Sequence, residues 1–165
     1  MAKSDSANIQ NLNALTIALK KEEDSFAFYK NAEKTVLFKP LKGLFKDLAK
    51  QEVQHKNIII KEMKKIEGGA KKVDTITKAS GKSKSKDYGI SKYLTPQNVK
   101  PSMGYQEALI VAMKREEGAV QLFDYLKTIT TDKALQKTFD ELYKWEVEHL
   151  KKLEEKYDEE ILTEN

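Results

Sequence analysis

The amino-acid sequence predicts an all-α protein, a four-helix bundle built from a duplicated helical hairpin with one long crossover between helices 2 and 3. Three observations predict this fold. Apolar residues recur at spacings of three and four, the 165 residues include only 7 Gly and 3 Pro, and the two halves repeat each other at an offset of 94 residues. The length is that of one ordinary domain, so we expect a single domain over residues 1–165.

The first hairpin is indicated by two amphipathic segments on either side of a short turn. The apolar stripe of its first helix is Leu15, Ala18, Leu19, Phe26, Tyr29 and Val36. The stripe of its second helix is Leu41, Leu44, Phe45, Leu48, Ile59, Met63 and Ile66. Pro40, in the connecting TVLFKPL, fits the first turn of a helix and disfavours continuation of the helix before it.

Residues 68–102 are predicted to form a long lysine-rich loop. They contain GGAKK, ASGKSKSK and two prolines, a composition that breaks regular structure. If helices 2 and 3 ran antiparallel, a few residues would connect them, whereas a connection along the whole bundle must reach about 40 Å. Because 35 residues easily reach that far, the length favours a crossover.

The second hairpin repeats the first. Its apolar residues are Leu109, Ala112, Met113, Val120, Phe123 and Leu126, followed by Leu135, Phe139, Leu142 and Leu153. Thr131 or Asp132 is a candidate cap for its second helix. Residues 14–23 and 108–117 share six of ten positions, and residues 41–55 and 135–149 share seven of fifteen, so the chain is a duplicated hairpin.

Composition and charge exclude several classes of function. Without cysteine the chain has no disulfide, no thiolate-bound metal and no cysteine nucleophile. The net charge of +4 comes from residues 61–86, with nine Lys against three acidic residues, and Arg115 is the only arginine, so nucleic-acid binding is not expected. MAKSDSANIQ lacks a secretory apolar run and no segment is apolar enough to span a membrane, which predicts a cytoplasmic protein.

Both histidines of the chain follow a glutamate by three residues. They lie in QEVQH, which contains Glu52 and His55, and in WEVEH, which contains Glu146 and His149. Residues three apart on a helix lie about 60° apart around it, so each pair can present both side chains to one point. Apolar residues flank each pair one turn away, which predicts that both pairs face the interior of the bundle.

The other two helices carry adjacent glutamates in KKEED and KREEG. A seven-residue step along the apolar stripe selects Glu22 in the first helix and Glu116 in the third, which leaves Glu23 and Glu117 facing outward. Glu22 and Glu52 lie 30 residues apart across one turn, as do Glu116 and Glu146 across the other. Equal distances from the turns place all six groups in one layer.

Four carboxylates in an apolar interior would repel one another unless positive charge lies among them. Two divalent cations would balance them. Carboxylate oxygens with one imidazole per ion suit iron or manganese better than a structural zinc. The sequence therefore predicts a dinuclear site, with glutamates both capping and bridging the ions, made by Glu22, Glu52, His55, Glu116, Glu146 and His149.

With its paired hairpins and the motifs KKEEDSFAFY, QEVQH, KREEGAVQLF and WEVEH, the chain resembles rubrerythrin-type members of the ferritin-like di-iron carboxylate proteins. The resemblance covers the chain outside its first dozen residues and the lysine-rich loop. It implies two iron ions, with manganese as the alternative, and reduction of hydrogen peroxide or O₂. Since the chain has no cysteine-bound second iron site, the electrons would come from an external donor protein.

The resemblance also leaves other interpretations open. Rubrerythrins tend to carry a further glutamate one turn before the third-helix ligand, where this chain has Met113, so the six-ligand set also fits a ferroxidase that handles iron. A non-catalytic interaction module is the third alternative, and a homodimer is compatible with the family. Tyr29 lies where such proteins keep a tyrosine near the metals, although a core role explains it as well. Trp145 is expected to serve in packing or in a subunit contact.

Overall fold

The structure, a computed structural model, describes residues 3–66, 68–79 and 97–164. Within these ranges the chain forms five α-helices and no strand. The helices are α1 (Lys3–Thr35), α2 (Lys39–Lys64), α3 (Gly69–Ala79), α4 (Tyr105–Ile129) and α5 (Lys133–Glu164). The prediction of an all-α bundle is confirmed.

The two predicted hairpins are α1 with α2 and α4 with α5, and each pair packs side by side along its length. Pro40 lies in the first turn of α2, where its missing N–H costs nothing. Of the two predicted caps for α5, Asp132 does the capping, since its Oδ1 accepts a 2.8 Å hydrogen bond from the Leu135 N–H. At the start of α4 the arrangement is reversed, since Glu107 in the first turn accepts a 2.8 Å hydrogen bond through Oε2 from the N–H of Gly104, the residue before the helix.

The buried apolar residues form two separate clusters, one toward each end of the bundle. The lower cluster contains Leu15, Leu19, Ile59, Met63, Leu122, Leu126, Phe139 and Leu142, among others. The upper cluster contains Tyr29, Val36, Leu41, Phe45, Leu109, Ala112 and Leu153, among others. Because α1, α2, α4 and α5 each contribute to both clusters, the segments between these residues on all four helices form a layer in the middle of the bundle.

The clusters also give the direction of each helix. α2 begins in the upper cluster with Leu41 and ends in the lower one with Met63, and α4 likewise runs from Leu109 to Leu126. These two helices therefore point the same way, and the chain between them must return along the bundle. Val73 lies in the lower cluster and Val99 in the upper one, at the two ends of this return. The predicted crossover is confirmed.

One expectation is wrong in part, because Gly69–Ala79, inside the predicted loop, forms helix α3. Gly68 has a φ of 77°, and a Cβ on Gly69 would lie 1.9 Å from the Met63 carbonyl oxygen, so the glycine pair makes the sharp turn that ends α2. The new helix starts at Gly69 itself and buries Val73 in the lower cluster. Residues 97–102 are non-helical as expected, and 80–96 lie outside the described residues.

None of the helices in the described ranges has the length and apolarity needed to cross a lipid bilayer.

Candidate metal centre

The six side chains that the sequence predicts as metal ligands meet in the layer between the two apolar clusters. α1 supplies Glu22, α4 supplies Glu116, α2 supplies Glu52 and His55, and α5 supplies Glu146 and His149. All six are at most 4% exposed. Their roles as ligands remain a prediction, but the convergence on which that prediction depends is present.

The choice between adjacent glutamates follows the rotation of each helix. Glu22 and Glu116 face the interior, whereas Glu117 is exposed and Glu23 points sideways to Lys56 of α2, with 3.3 Å between its Oε1 and the lysine Nζ. One residue along a helix is a rotation of about 100°, which is enough to move a carboxylate from the core to the surface.

Each imidazole presents its Nδ1 atom to three carboxylates. The Nδ1 of His55 lies 2.9 Å from Glu146, 3.3 Å from Glu52 and 3.7 Å from Glu22. The Nδ1 of His149 lies 3.4 Å from Glu52, 3.5 Å from Glu146 and 3.6 Å from Glu116. The ligand atoms thus form two groups of four, each within 4.8 Å, that share two glutamates.

This sharing divides the four glutamates into two kinds. Glu52 and Glu146 contact both histidines, so each can bridge two ions, one through each carboxylate oxygen. Glu22 contacts only His55 and Glu116 contacts only His149, so each would be a terminal ligand of one ion. If two ions bind here, each would be held by one imidazole, one glutamate of its own and the two shared glutamates.

The polar atoms of this layer fit bound cations because most of them face one another without a well-formed hydrogen bond. In the described part of the chain, nine buried side-chain N and O atoms lack a hydrogen bond, and seven of them belong to these six residues. Both Nδ1 atoms are among the seven. Leaving such an atom unpaired costs about 1–3 kcal/mol. Cations among these oxygens and imidazoles would satisfy the whole set, and a donor set without sulfur suits iron or manganese.

The bridging and terminal glutamates also differ in their electrostatics. Burial alone would raise the pKa of Glu52, but its contacts with Glu22, His149 and His55 lower it to about 2, and the two imidazoles do the same for Glu146. Burial and nearby carboxylates raise the pKa of Glu116 to about 7 and that of Glu22 well above its ordinary value. In the metal-free protein, therefore, Glu52 and Glu146 are ionised, whereas their surroundings favour the protonated forms of Glu22 and Glu116.

The imidazoles supply the compensating positive charge in that state. Burial opposes protonation of His149, but Glu116, Glu146 and Glu52 raise its pKa to about 12, and the carboxylates around His55 raise the pKa of that residue strongly as well. Both rings therefore favour the protonated form at neutral pH in the absence of metal.

We expect metal loading of the metal-free protein to release at least about two protons per chain at neutral pH, one from each imidazole. The affinity for metal should rise with pH, because fewer protons then have to be displaced. Anaerobic titration with Fe²⁺ or Mn²⁺ in weak buffer with an indicator dye measures both effects. Tight binding of two ions with no proton release would contradict this account of the site.

Three further side chains hold the predicted ligands in place. The Tyr29 hydroxyl donates a hydrogen bond to Glu116 Oε1, which is the role that the resemblance implies for it. Burial and the charge of Glu116 raise the pKa of Tyr29, so the hydroxyl keeps its proton. Gln51 Oε1 accepts a 3.1 Å hydrogen bond from His149 Nε2–H, in an orientation that turns Nδ1 toward the carboxylates. Trp145 stacks on His55, with 5.2 Å between ring centroids.

Two buried cations were not anticipated. Lys21 is fully buried next to Glu22, and its Nζ donates a 3.4 Å hydrogen bond to the Arg115 carbonyl. Arg115 is itself buried, with its guanidinium 4.4 Å from the ring centroid of Phe28. The burial of Lys21 could have been inferred from its position, seven residues from both Ala14 and Phe28 on one face of α1. A charged residue at such a position is normally assigned to the surface.

The sequence was compared with known families, curated proteins and solved structures. The family model for rubrerythrin matches residues 13–157. This range includes all six of the predicted metal ligands, from Glu22 to His149. No curated protein and no solved structure matches the chain.

Proposed function

The chain belongs to the rubrerythrin family, and from that premise we propose that it is a di-iron oxidoreductase that reduces hydrogen peroxide, or O₂, with electrons from an external donor. One observation carries the proposal: Glu52 and Glu146 each contact both histidines, so the six side chains can hold two ions side by side rather than one. Family members typically bind iron, and manganese remains the alternative.

A pair of ferrous ions held there would supply two electrons together at one position. Glu22, Glu52, His55 and Glu146 would hold one ion, and Glu52, Glu116, Glu146 and His149 the other. Two electrons and two protons convert one molecule of hydrogen peroxide into two of water. Since the chain contains no cysteine that could ligate a further iron site, we infer that a separate one-electron donor restores the ferrous state.

The protein's own contribution is to orient these ligands and to keep bulk water away from them. The lower and upper apolar clusters close the layer along the bundle axis. Tyr29 fixes one oxygen of Glu116 by donating a hydrogen bond to it, and Gln51 fixes the ring of His149 through Nε2. Ligands that are held in this way need little rearrangement when the charge of the ions changes.

The test is to compare peroxide and O₂ as oxidants of the reduced protein. Protein loaded anaerobically with iron is mixed with one equivalent of either oxidant, and the ferric absorbance is followed by stopped flow. We expect oxidation by peroxide to be faster by about tenfold or more. With excess reduced donor, peroxide should be consumed catalytically, one molecule for every two electrons.

Two variants provide a matched pair for this test. Glu23→Gln changes the glutamate that pairs with Lys56 and should behave as the parent protein, whereas Glu22→Gln changes the adjacent inward glutamate and should lose turnover. An iron-loaded protein that is inert toward both oxidants contradicts the proposal. So does uptake of many more ferrous ions than the centre can hold, which would instead indicate an iron-handling protein.

A further inference from the structure

Three aromatic rings form a continuous stack from the surface of the bundle into the metal layer. Trp145 of α5 lies on His55 of α2, with 5.2 Å between ring centroids and an interplanar angle of 14°. His55 in turn lies on His149, at 5.1 Å and 13°. The nearly parallel planes and these separations are those of offset-stacked rings, so each ring packs against the next from Trp145 to His149.

The outer end of this stack reaches solvent. Trp145 is 37% exposed, whereas both histidines are buried. Among the residues that the structure describes, Trp145 is the exposed aromatic side chain that contacts a predicted metal ligand. It is also the only tryptophan in the chain.

In the part of the chain that the structure describes, the stack lies on one side of the centre only. At the offset of 94 residues the counterpart of Trp145 is Gln51, and each of the two contacts the histidine of the opposite helix. Gln51 touches His149 with an amide at the end of a saturated side chain, and Lys152 donates a 3.3 Å hydrogen bond to the same oxygen. Among the described residues, no ring lies between solvent and the imidazole on this side.

We propose that Trp145 is the residue through which electrons enter the metal centre. The inference rests on the proposed function, because it needs iron in the centre and an external one-electron donor. Electron tunnelling weakens exponentially with distance, and two conjugated rings in contact replace most of the saturated path between solvent and ion. In each transfer the donor loses one electron and one ferric ion becomes ferrous. No bond is formed or broken, and the indole stays in its neutral form.

The absence of cysteine makes a site-directed test possible, because one introduced cysteine carries a unique label. Glu148→Cys and Gln54→Cys place a ruthenium photosensitiser at exposed, repeat-equivalent positions. Each lies three residues after Trp145 or Gln51 on the same helix. Because helical side chains point toward the N-terminus, each label reaches back over that residue. The two labels therefore lie at matched distances from the centre. They differ in the side chain between label and centre, which is Trp145 for residue 148 and Gln51 for residue 54.

The measurement is the rate of one-electron reduction of the ferric centre after a laser flash, with a sacrificial amine as the reductant that converts the excited complex into the electron donor. We expect the label at residue 148 to reduce the centre about tenfold faster than the label at residue 54. Trp145→Leu should abolish this difference, and Trp145→Phe, which keeps a ring in the stack, should retain most of it.

Equal rates from the two labels in the parent protein would overturn the proposal, whatever the Trp145 variants do. A fast rate that survives Trp145→Leu would overturn it as well. Iron content, ferric absorbance and midpoint potential are measured on every variant. If the rate of reduction changes only where one of these three quantities also changes, Trp145 acts by supporting His55, and the proposal is wrong. The flash experiment uses no peroxide. If electrons enter the centre at the expected rates but peroxide is not reduced, the proposed function is refuted and the role of Trp145 is not.

Discussion

Glu52→Gln is expected to reduce the metal content from about two ions per chain to about none, whereas Glu22→Gln should leave about one. Glu52 lies within ligand distance of both histidines, at 3.3 Å and 3.4 Å from their Nδ1 atoms, and so belongs to both ion positions. Glu22 contacts only His55 and belongs to one. The substitution keeps the shape of the side chain but removes the charge that holds the cations.

Metal analysis of protein desalted anaerobically after loading gives the stoichiometry. Glu146→Gln should behave as Glu52→Gln does, and Glu116→Gln as Glu22→Gln does, because the two halves are related by the repeat. Glu23→Gln, which alters only a contact with Lys56, is the control and should retain both ions. If Glu52→Gln and Glu22→Gln lost the same amount of metal, the division into bridging and terminal glutamates would be wrong.

Metal loading is expected to raise the thermal midpoint of unfolding by about 10–20 °C. A ligand at about 100 times its Kd stabilises the folded state by about 2.7 kcal/mol per site. For a domain of this size each kcal/mol corresponds to a shift of about 2–4 °C, and there are two sites. The physical source is the layer of buried, unpaired carboxylate and imidazole atoms, which the ions satisfy.

Circular dichroism at the helix band, with and without Mn²⁺ or anaerobic Fe²⁺, measures this shift. Glu22→Gln should show about half of it, since one ion position remains, and Glu23→Gln should show all of it. A midpoint that does not move with metal, in protein shown to bind two ions per chain, would mean that the unfolded chain binds the ions equally well. That result would contradict a site assembled by the fold.

Much of the fold could be predicted because its signals are local. The seven-residue stripes of α1 and α4 select Glu22 and Glu116 over their neighbours, and the structure places both in the core. Helix α3 could not be predicted in the same way, because the pair Gly68 and Gly69 is typical of the start of irregular chain. A glycine pair ends one helix without preventing the next, and the burial of Val73 against α1 and α2 stabilises α3.

The surroundings of the ligands were less predictable than the ligands themselves. Lys21 belongs by type on the surface, yet it is fully buried, because the stripe on which it lies faces α4 and its amine reaches the carbonyl of Arg115 and the charges of the metal layer. Trp145 was expected to pack or to form a subunit contact, and within the chain it packs on His55.

The sequence by itself determined the duplicated hairpin, the two Glu-x-x-His pairs and the inward phase of Glu22 and Glu116, because each depends on spacing along one helix. Only the tertiary structure decided which glutamates touch both histidines, and that Gln51 and Trp145 each cover the histidine of the opposite helix. These contacts join residues nearly a hundred positions apart. They depend on how α2 and α5 are rotated and shifted against each other, which the packing of all four helices sets together.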